Sequence, residues 1–421
     1  MASSTRLLLE SSKLTSRFEF DRYDTYQWYL RLGALSNVDA KYFHGKLPTW
    51  NNFVAHPDYD KFWQDQALVN QLKKVTVPIM HVAGWWDQED FYGPVKAYEI
   101  LEKTDSNHFN YLVVGPWNHG GWNRLTGDKL GNIDFGSPAS QYFRANIFQP
   151  WFAYYLKDKG QLRQPEATTF ETGSNRWTSF DSWPRAHERG FPQPLFSGAR
   201  PVVFRAAARQ TRLLRLMSTF QTRRIRFPTG RARLNQPTIR RTWVVRAGPR
   251  GCLKTSDLSK AVPTCSPGKL SPLQNDTVIA GDIVAHLFAS TSGTDSDWVV
   301  KLIDVYPETY PKDPKMSGYQ LMIANEILRG RYRNSFTKPE AIPSNQVIEY
   351  AIDLHTSNHA FLKGHRIMVQ VQSTWFPIYD RNPQKFVDNI FLARDSDYVA
   401  ATQKVFRSSR YPSHVTIPTI R

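Results

Sequence analysis

Three acids and one histidine are the residues of this chain best placed to do chemistry together. Asp87, Glu89 and Asp90 follow the apolar run 77–84 in VPIMHVAGWWDQEDFYG, and His119 follows the apolar run 111–114 in GPWNHGG. A carboxylate beside an imidazole is two thirds of the constellation that activates a serine hydroxyl: the acid fixes the tautomer and stabilises the charged ring, and the ring takes the proton. In that reading Asp87 orients and His119 is the general base. Two other readings stay open at this point. The acid and the histidine can fall on consecutive loops by chance, and Asp87, Glu89, Asp90 and His119 could surround a hard cation. No repeating ligand spacing supports the cation, so neither a metal nor a cofactor is predicted.

The elements that must position these groups can be read from the same stretch. Short apolar runs bounded by Gly and Pro read as buried strands, and residues 94–103 between them carry Val95, Tyr98 and Leu101 at helical spacing behind Pro94. Strand, helix, strand over about 40 residues predicts a parallel βαβ unit with a right-handed crossover. Both loops then leave the carboxyl ends of adjacent strands, where open α/β sheets bind ligands.

Elsewhere, residues 15–73 are aromatic-rich and read as helices covering the site. Residues 140–157 predict a helix with Phe143, Ile147, Trp151 and Tyr154 on its apolar face. From 276 onward the pattern turns to strands, in DTVIAGDIVAHLFAS, DWVVKLIDVYP, YQLMIANEI, QVIEYAIDL, HRIMVQVQS and HVTIPTI, with Ile367, Val369 and Val371 alternating against Met368, Gln370 and Gln372. Many short strands predict a β-sandwich, so the fold class is α/β followed by all-β. The loops 294–297 and 379–382 are placed nearest the cleft, with plain turn chemistry as the other reading. His44, His56 and His286 read as structural or exposed.

The formal charge is +17, with a pI near 9.7. Residues 189–256 hold fifteen Arg, one Lys and no acid, giving +16, so the rest of the chain sums to +1. The excess is one block rather than a basic surface. No aromatic interleaving or nucleic-acid motif accompanies it, so no nucleic-acid partner is predicted and an Arg-rich binder is the rival class. No apolar run reaches the roughly 18 residues that cross a bilayer, so no membrane partner is predicted. The start lacks the apolar core of a signal peptide, which leaves the compartment open. Oligomeric state is equally unread. Both cysteines, Cys252 and Cys265, fall in or beside the block and indicate no redox compartment.

GWWDQEDFYGP followed by NYLVVGPWNHGGW resembles the CocE/NonD hydrolases, a family of esterases, α-amino-acid ester hydrolases, acylases and X-Pro dipeptidyl peptidases. The likeness continues through YQWYLRLGALSNVDAKYFHGKLPTWNNF (26–53), HPDYDKFW (56–63), PEATTFETGSNRW (165–177), SGTDSDWVVKLIDVYP (292–307) and FPIYDRNPQ (376–384). The resemblance implies that Asp87 and His119 are the triad acid and base, and that Glu89 and Asp90 help hold a substrate α-ammonium group. Dipole partners at a helix start are the plain reading of those two acids. It implies a small-molecule ester, amide or peptide as substrate. It also divides the chain into a cap-like helical region (1–73), the C-terminal part of an α/β-hydrolase core (74–190), a linker with the Arg-rich segment (191–275) and a jelly-roll-like β-sandwich (276–421).

The departure is the nucleophile. A serine elbow needs Gly two residues before Ser, and none of the 23 glycines has serine there. The chain is therefore expected to be a truncated, by itself inactive form, with a complementing separate piece or a non-catalytic β-sandwich binding protein as the alternatives. The Arg-rich block has its own reading. Shifted one frame with allowed synonymous codons, 226–239 becomes VPYRTRPIKPTYD and 253–271 becomes EDQRFVEGRADVLSWETE, both similar to the family, so 195–271 is expected to be a frameshifted segment.

Overall fold

The apolar run before His119 lies wholly out of water: strand β2 (Asn110–Gly115) is buried at every position. It pairs in parallel with β1 (Ile79–Gly84), in a register that runs from Ile79↔Asn110 to Gly84↔Gly115. Between them helix α1 (Tyr92–Glu102) buries Val95, Ala97, Tyr98 and Leu101, the predicted face with one residue added. The two strands end in step at glycines, which brings the loops of Asp87 and His119 side by side. Strand β3 (Ala167–Glu171) continues the sheet in parallel on β2, and β4 (Arg176–Phe180) closes it antiparallel, giving the order β1-β2-β3-β4. In this computed structural model the residues described are 25–184, 191–194, 202–206, 265–269 and 271–420.

The predicted helix over 140–157 is three pieces: Ala139–Tyr142, a π-helical segment Phe143–Phe148, and Gln149–Lys157. Phe143, Ile147 and Trp151 are buried as expected, but Tyr154 is exposed. The wider π turn shifts the phase, so the buried face continues at a spacing of four. Tyr155 takes the place expected of Tyr154, its hydroxyl 3.0 Å from that of Tyr111.

The aromatic-rich N-terminal helices Thr25–Leu32, Pro48–Ala55 and Lys61–Gln66 were expected over the site. Hydrogen bonds tie these helices and the turns between them to the C-terminal part: Ala34 N donates to Asp395, Asn389 to Val54 O, Arg381 to Gly33 O and Tyr332 to Asp58.

The C-terminal part is all β. Its long strands are β5 (Thr277–Thr291), β6 (Asp297–Val305), β7 (Gln320–Arg329), β8 (Ile348–Phe361) and β9 (Arg366–Gln372). β5 and β8 form one sheet with Ala401–Val405, His414–Ile417 and shorter strands; β6, flanked by β7 and β9, forms the other. The inward residues Ile279, Ile283, Leu287, Trp298, Val300, Leu354, Val369 and Val371 fill the space between them. Met368, read as outward-facing, is also buried, in a separate cluster with Ile303 and Val305. The sandwich is joined to the α/β sheet by backbone pairing, Thr172 N to Asn358 O and Ala360 N to Thr172 O, at 3.1 and 2.8 Å. Asn358 adds side-chain bonds to Thr169 and Thr178. The reading of 195–271 as frameshifted lies almost entirely outside the described residues.

The loop 294–297 is more than turn chemistry. Asp295 and Asp297 are buried and carry ion pairs, Asp295 to Arg331 at 2.7 Å and Asp297 to Arg329 at 2.9 Å. Arg329 reaches on to Asp380 at 3.0 Å, tying the second predicted loop to the first.

Candidate active site

The sheet's parallel hydrogen bonding continues past the strand ends. Trp85 N donates to Gly115 O and Trp86 N to Trp117 O, both at 3.0 Å, so the two loops are bonded together before either presents its functional side chain. This apposition needs bare backbone. A Cβ on Gly84 would lie 2.4 Å from Trp117 O, and one on Gly115 would lie 2.5 Å from the Trp117 ring. Gly84→Ala is therefore expected to destabilise the protein by about 1–3 kcal/mol through overpacking. Urea unfolding is the check, and an unchanged midpoint would mean the loops can part without penalty.

Asp87 sits where it is fixed on both carboxylate oxygens. Oδ1 accepts from the backbone N–H groups of Glu89 and Asp90 at 3.1 and 3.0 Å, and Oδ2 faces Nδ1 of His119 at 3.2 Å. Its side chain is 2% exposed, against 50% for His119, 71% for Glu89 and 61% for Asp90. A buried carboxylate that accepts from Nδ1–H leaves Nε2 as the basic nitrogen. The sequence-predicted pair is thus brought together, and both neighbouring acids with it: Asp90 Oδ2 is also 3.2 Å from Nδ1, and Glu89 Oε2 is 3.9 Å from Nε2. Asp87, Asp90 and His119 each offer a ligand atom within 4.8 Å of the others, so a cation could also be held here. For Asp87, however, the donor set is already committed to two amides and one imidazole.

Behind the acid loop, on the sandwich side, is a cavity of about 130 Å³ lined by Asp87, Glu89, Tyr92, Glu326, His355 and Tyr379 among others. Tyr379 comes from the loop predicted nearest the cleft; no residue of 294–297 lines it, because that loop is occupied by its buried ion pairs. His119 is not in the lining, but two residues that are, Asp87 and Glu89, also face it. Glu326 and His355 were not singled out by the sequence. His355 follows QVIEYAIDL in the polar run HTSNH, where the alternation that identifies a strand fades.

Two family models match the chain. One, described as X-Pro dipeptidyl-peptidase (S15 family), matches residues 3–121 and so includes Asp87, Glu89, Asp90 and His119. The other, the X-Pro dipeptidyl-peptidase C-terminal non-catalytic domain, matches 234–416. Cocaine esterase of Rhodococcus sp. (strain MB1 Bresler) is 26% identical over 384 residues, which are 90% of this chain and 62% of the esterase. Of solved structures, an aminopeptidase from the marine sediment archaeon Thaumarchaeota archaeon superposes with a TM-score of 0.85 at 35% identity, covering 100% of this chain and 68% of that one. An α-amino acid ester hydrolase superposes at 0.82 with 34% identity, covering 96% and 66%. The chain spans 62% to 68% of the length of these relatives.

Proposed function

Since the chain belongs to the CocE/NonD family of hydrolases, we propose that it carries the acid-and-base part of a serine hydrolase acting on esters or amides of small α-amino acyl groups or on X-Pro peptides. The observation that carries this reading is the buried Asp87 carboxylate, held by two amides and aimed at Nδ1 of a half-exposed His119. His119 Nε2 takes the proton from a serine Oγ as that oxygen attacks the substrate carbonyl. The imidazolium then protonates the leaving alkoxide or amine, and the same nitrogen activates the water that releases the acyl group. We place the serine outside these 421 residues, because none of the glycines here has serine two positions on.

Glu89 and Asp90 support the amino-acyl preference. Their ion pairs among the described residues are with His119, none with Lys or Arg. That uncompensated charge suits an ammonium group beside the scissile carbonyl.

The test is reconstitution of the chain with the Gly-x-Ser-bearing segment of an α-amino-acid ester hydrolase. A fluorophosphonate should label the reconstituted protein and leave the chain alone untouched; labelling of the chain alone would place a nucleophile within it. In the reconstituted enzyme, Glu89→Gln with Asp90→Asn is expected to raise KM for an α-amino acyl ester about tenfold or more. The matching desamino ester should be unaffected, and equal losses on both would remove the ammonium role.

A further inference from the structure

Strand β8 contains a bulge that points at the acid loop. β8 pairs with β5 as Thr356↔Asp282 and then Asp353↔Val284, so Leu354 and His355 stand opposite the single residue Ile283. His355 takes the left-handed conformation, φ 65°, that a non-glycine residue avoids. Bulges re-aim side chains, and strained residues persist where surrounding contacts hold them.

The contacts here are specific. His355 Nε2 lies 2.7 Å from Glu326 Oε2 on β7, and its backbone N–H donates to Asp353 Oδ1 at 2.8 Å. The ring meets Tyr92 and Phe91 edge-on, at centroid distances of 5.6 and 6.2 Å. Phe91 and Tyr92 end the loop that Asp87 begins. Its other end is also tied to the sandwich, through Trp86 Nε1 donating to Met322 O on β7 at 3.0 Å.

We propose that the His355–Glu326 pair is a positioning device for the Asp87 loop, gripping it from the sandwich side. The proposal rests on the reading that Asp87 orients His119. The charged and titratable groups around the imidazole are Glu326 from β7, Asp353 from β8 itself, Tyr92, Lys96 and Glu99 from α1, Asp282 from β5, and, across the cavity, Asp87, Glu89 and Tyr379. Burial pulls the His355 pKa down; Glu326, with Asp353 and Glu99 behind it, more than offsets this and holds it above the ordinary 6.5. A raised histidine pKa means that the pair's stabilisation is fully present below the unfolded value and is lost as pH rises through the folded one. The grip is therefore firm in acid and releases toward alkaline pH.

Amide hydrogen exchange of the full chain reads the loop directly, because the N–H groups of Glu89 and Asp90 are the ones bonded to Asp87. After correction for intrinsic rates, their protection in wild type should fall as pH rises through the titration of His355. His355→Asn, which tolerates the left-handed backbone, and Glu326→Gln should each lower it about tenfold at neutral pH. Protection of β2 should not change. His355→Gly removes the strain, so it should match or exceed wild type in stability while leaving the loop equally unprotected, a combination that a merely structural role does not give. Wild-type protection of Glu89 and Asp90 in His355→Asn, or a pH profile flat across the His355 titration, would overturn the proposal. If the loop responds but NMR finds no Asp87-bonded Nδ1 proton on wild-type His119, the grip stands and the catalytic reading is what fails.

Discussion

In the reconstituted enzyme, His119→Ala is expected to lower kcat on an amino-acyl ester by about ten-thousandfold or more, the scale on which serine hydrolases lose turnover without their base. The reason is local. Nε2 is the basic atom that the geometry leaves free, with Nδ1 turned to the Asp87 carboxylate. Asp87→Asn should cost a similar factor by another route. The amide still fits between the two backbone N–H groups, but it can turn its NH2 toward Nδ1 and so stabilise the tautomer with the proton on Nε2. Combining the two changes should add little, since both disable one unit. Single-turnover rates against the unreconstituted chain as background make the measurement; more than a tenth of wild-type turnover in either variant would show that another base serves.

The second large effect is on stability. Arg331 and Asp295, at 2% and 0% side-chain exposure, pair at 2.7 Å inside the sandwich, and Arg331 also donates to Val387 O at 2.7 Å. Replacing Arg331 by Met while Asp295 stays leaves an uncompensated buried carboxylate, and should cost about 3–5 kcal/mol. Changing Asp295 to Leu as well should recover much of that loss, because two apolar side chains need no partners. Urea midpoints of the single and double variants decide it: a single variant within 1 kcal/mol of wild type, roughly the scale of an exposed ion pair, would mean water reaches the site. The effect would also reach the cavity, since neighbouring Arg329 bridges Asp297 and Asp380, next to Tyr379.

The βαβ unit and its two functional loops were legible because every signal there is local. Two apolar runs, Pro94 near the helix start and glycines at both strand ends define the elements, and parallel pairing then leaves the loops little freedom. Asp87 and His119 follow from that geometry. Tyr154 was misplaced because the spacing rule assumes 3.6 residues per turn and the chain inserts a π turn at Phe143–Phe148. The loop 294–297 looked like turn chemistry because SGTDSD is rich in turn formers; only the fold brings Arg329 and Arg331 onto its acids. His355 was invisible for a related reason. A bulge is a property of two strands paired, and β8 carries buried polar residues from Thr356 to His359, of which Asn358 bonds to β3 and β4 and His359 to β6.

The sheet order ends at β1, which pairs with β2 on one side and, among the described residues, with no strand on the other. Its residues 79–82 are half-buried, where those of β2 are fully covered. Such a margin is open to pairing with a further extended segment. Met80 and Val82 pack against Val113, Trp117, Phe143 and Ile147, so a charge introduced at either would undermine the support of the His119 loop from within this sheet.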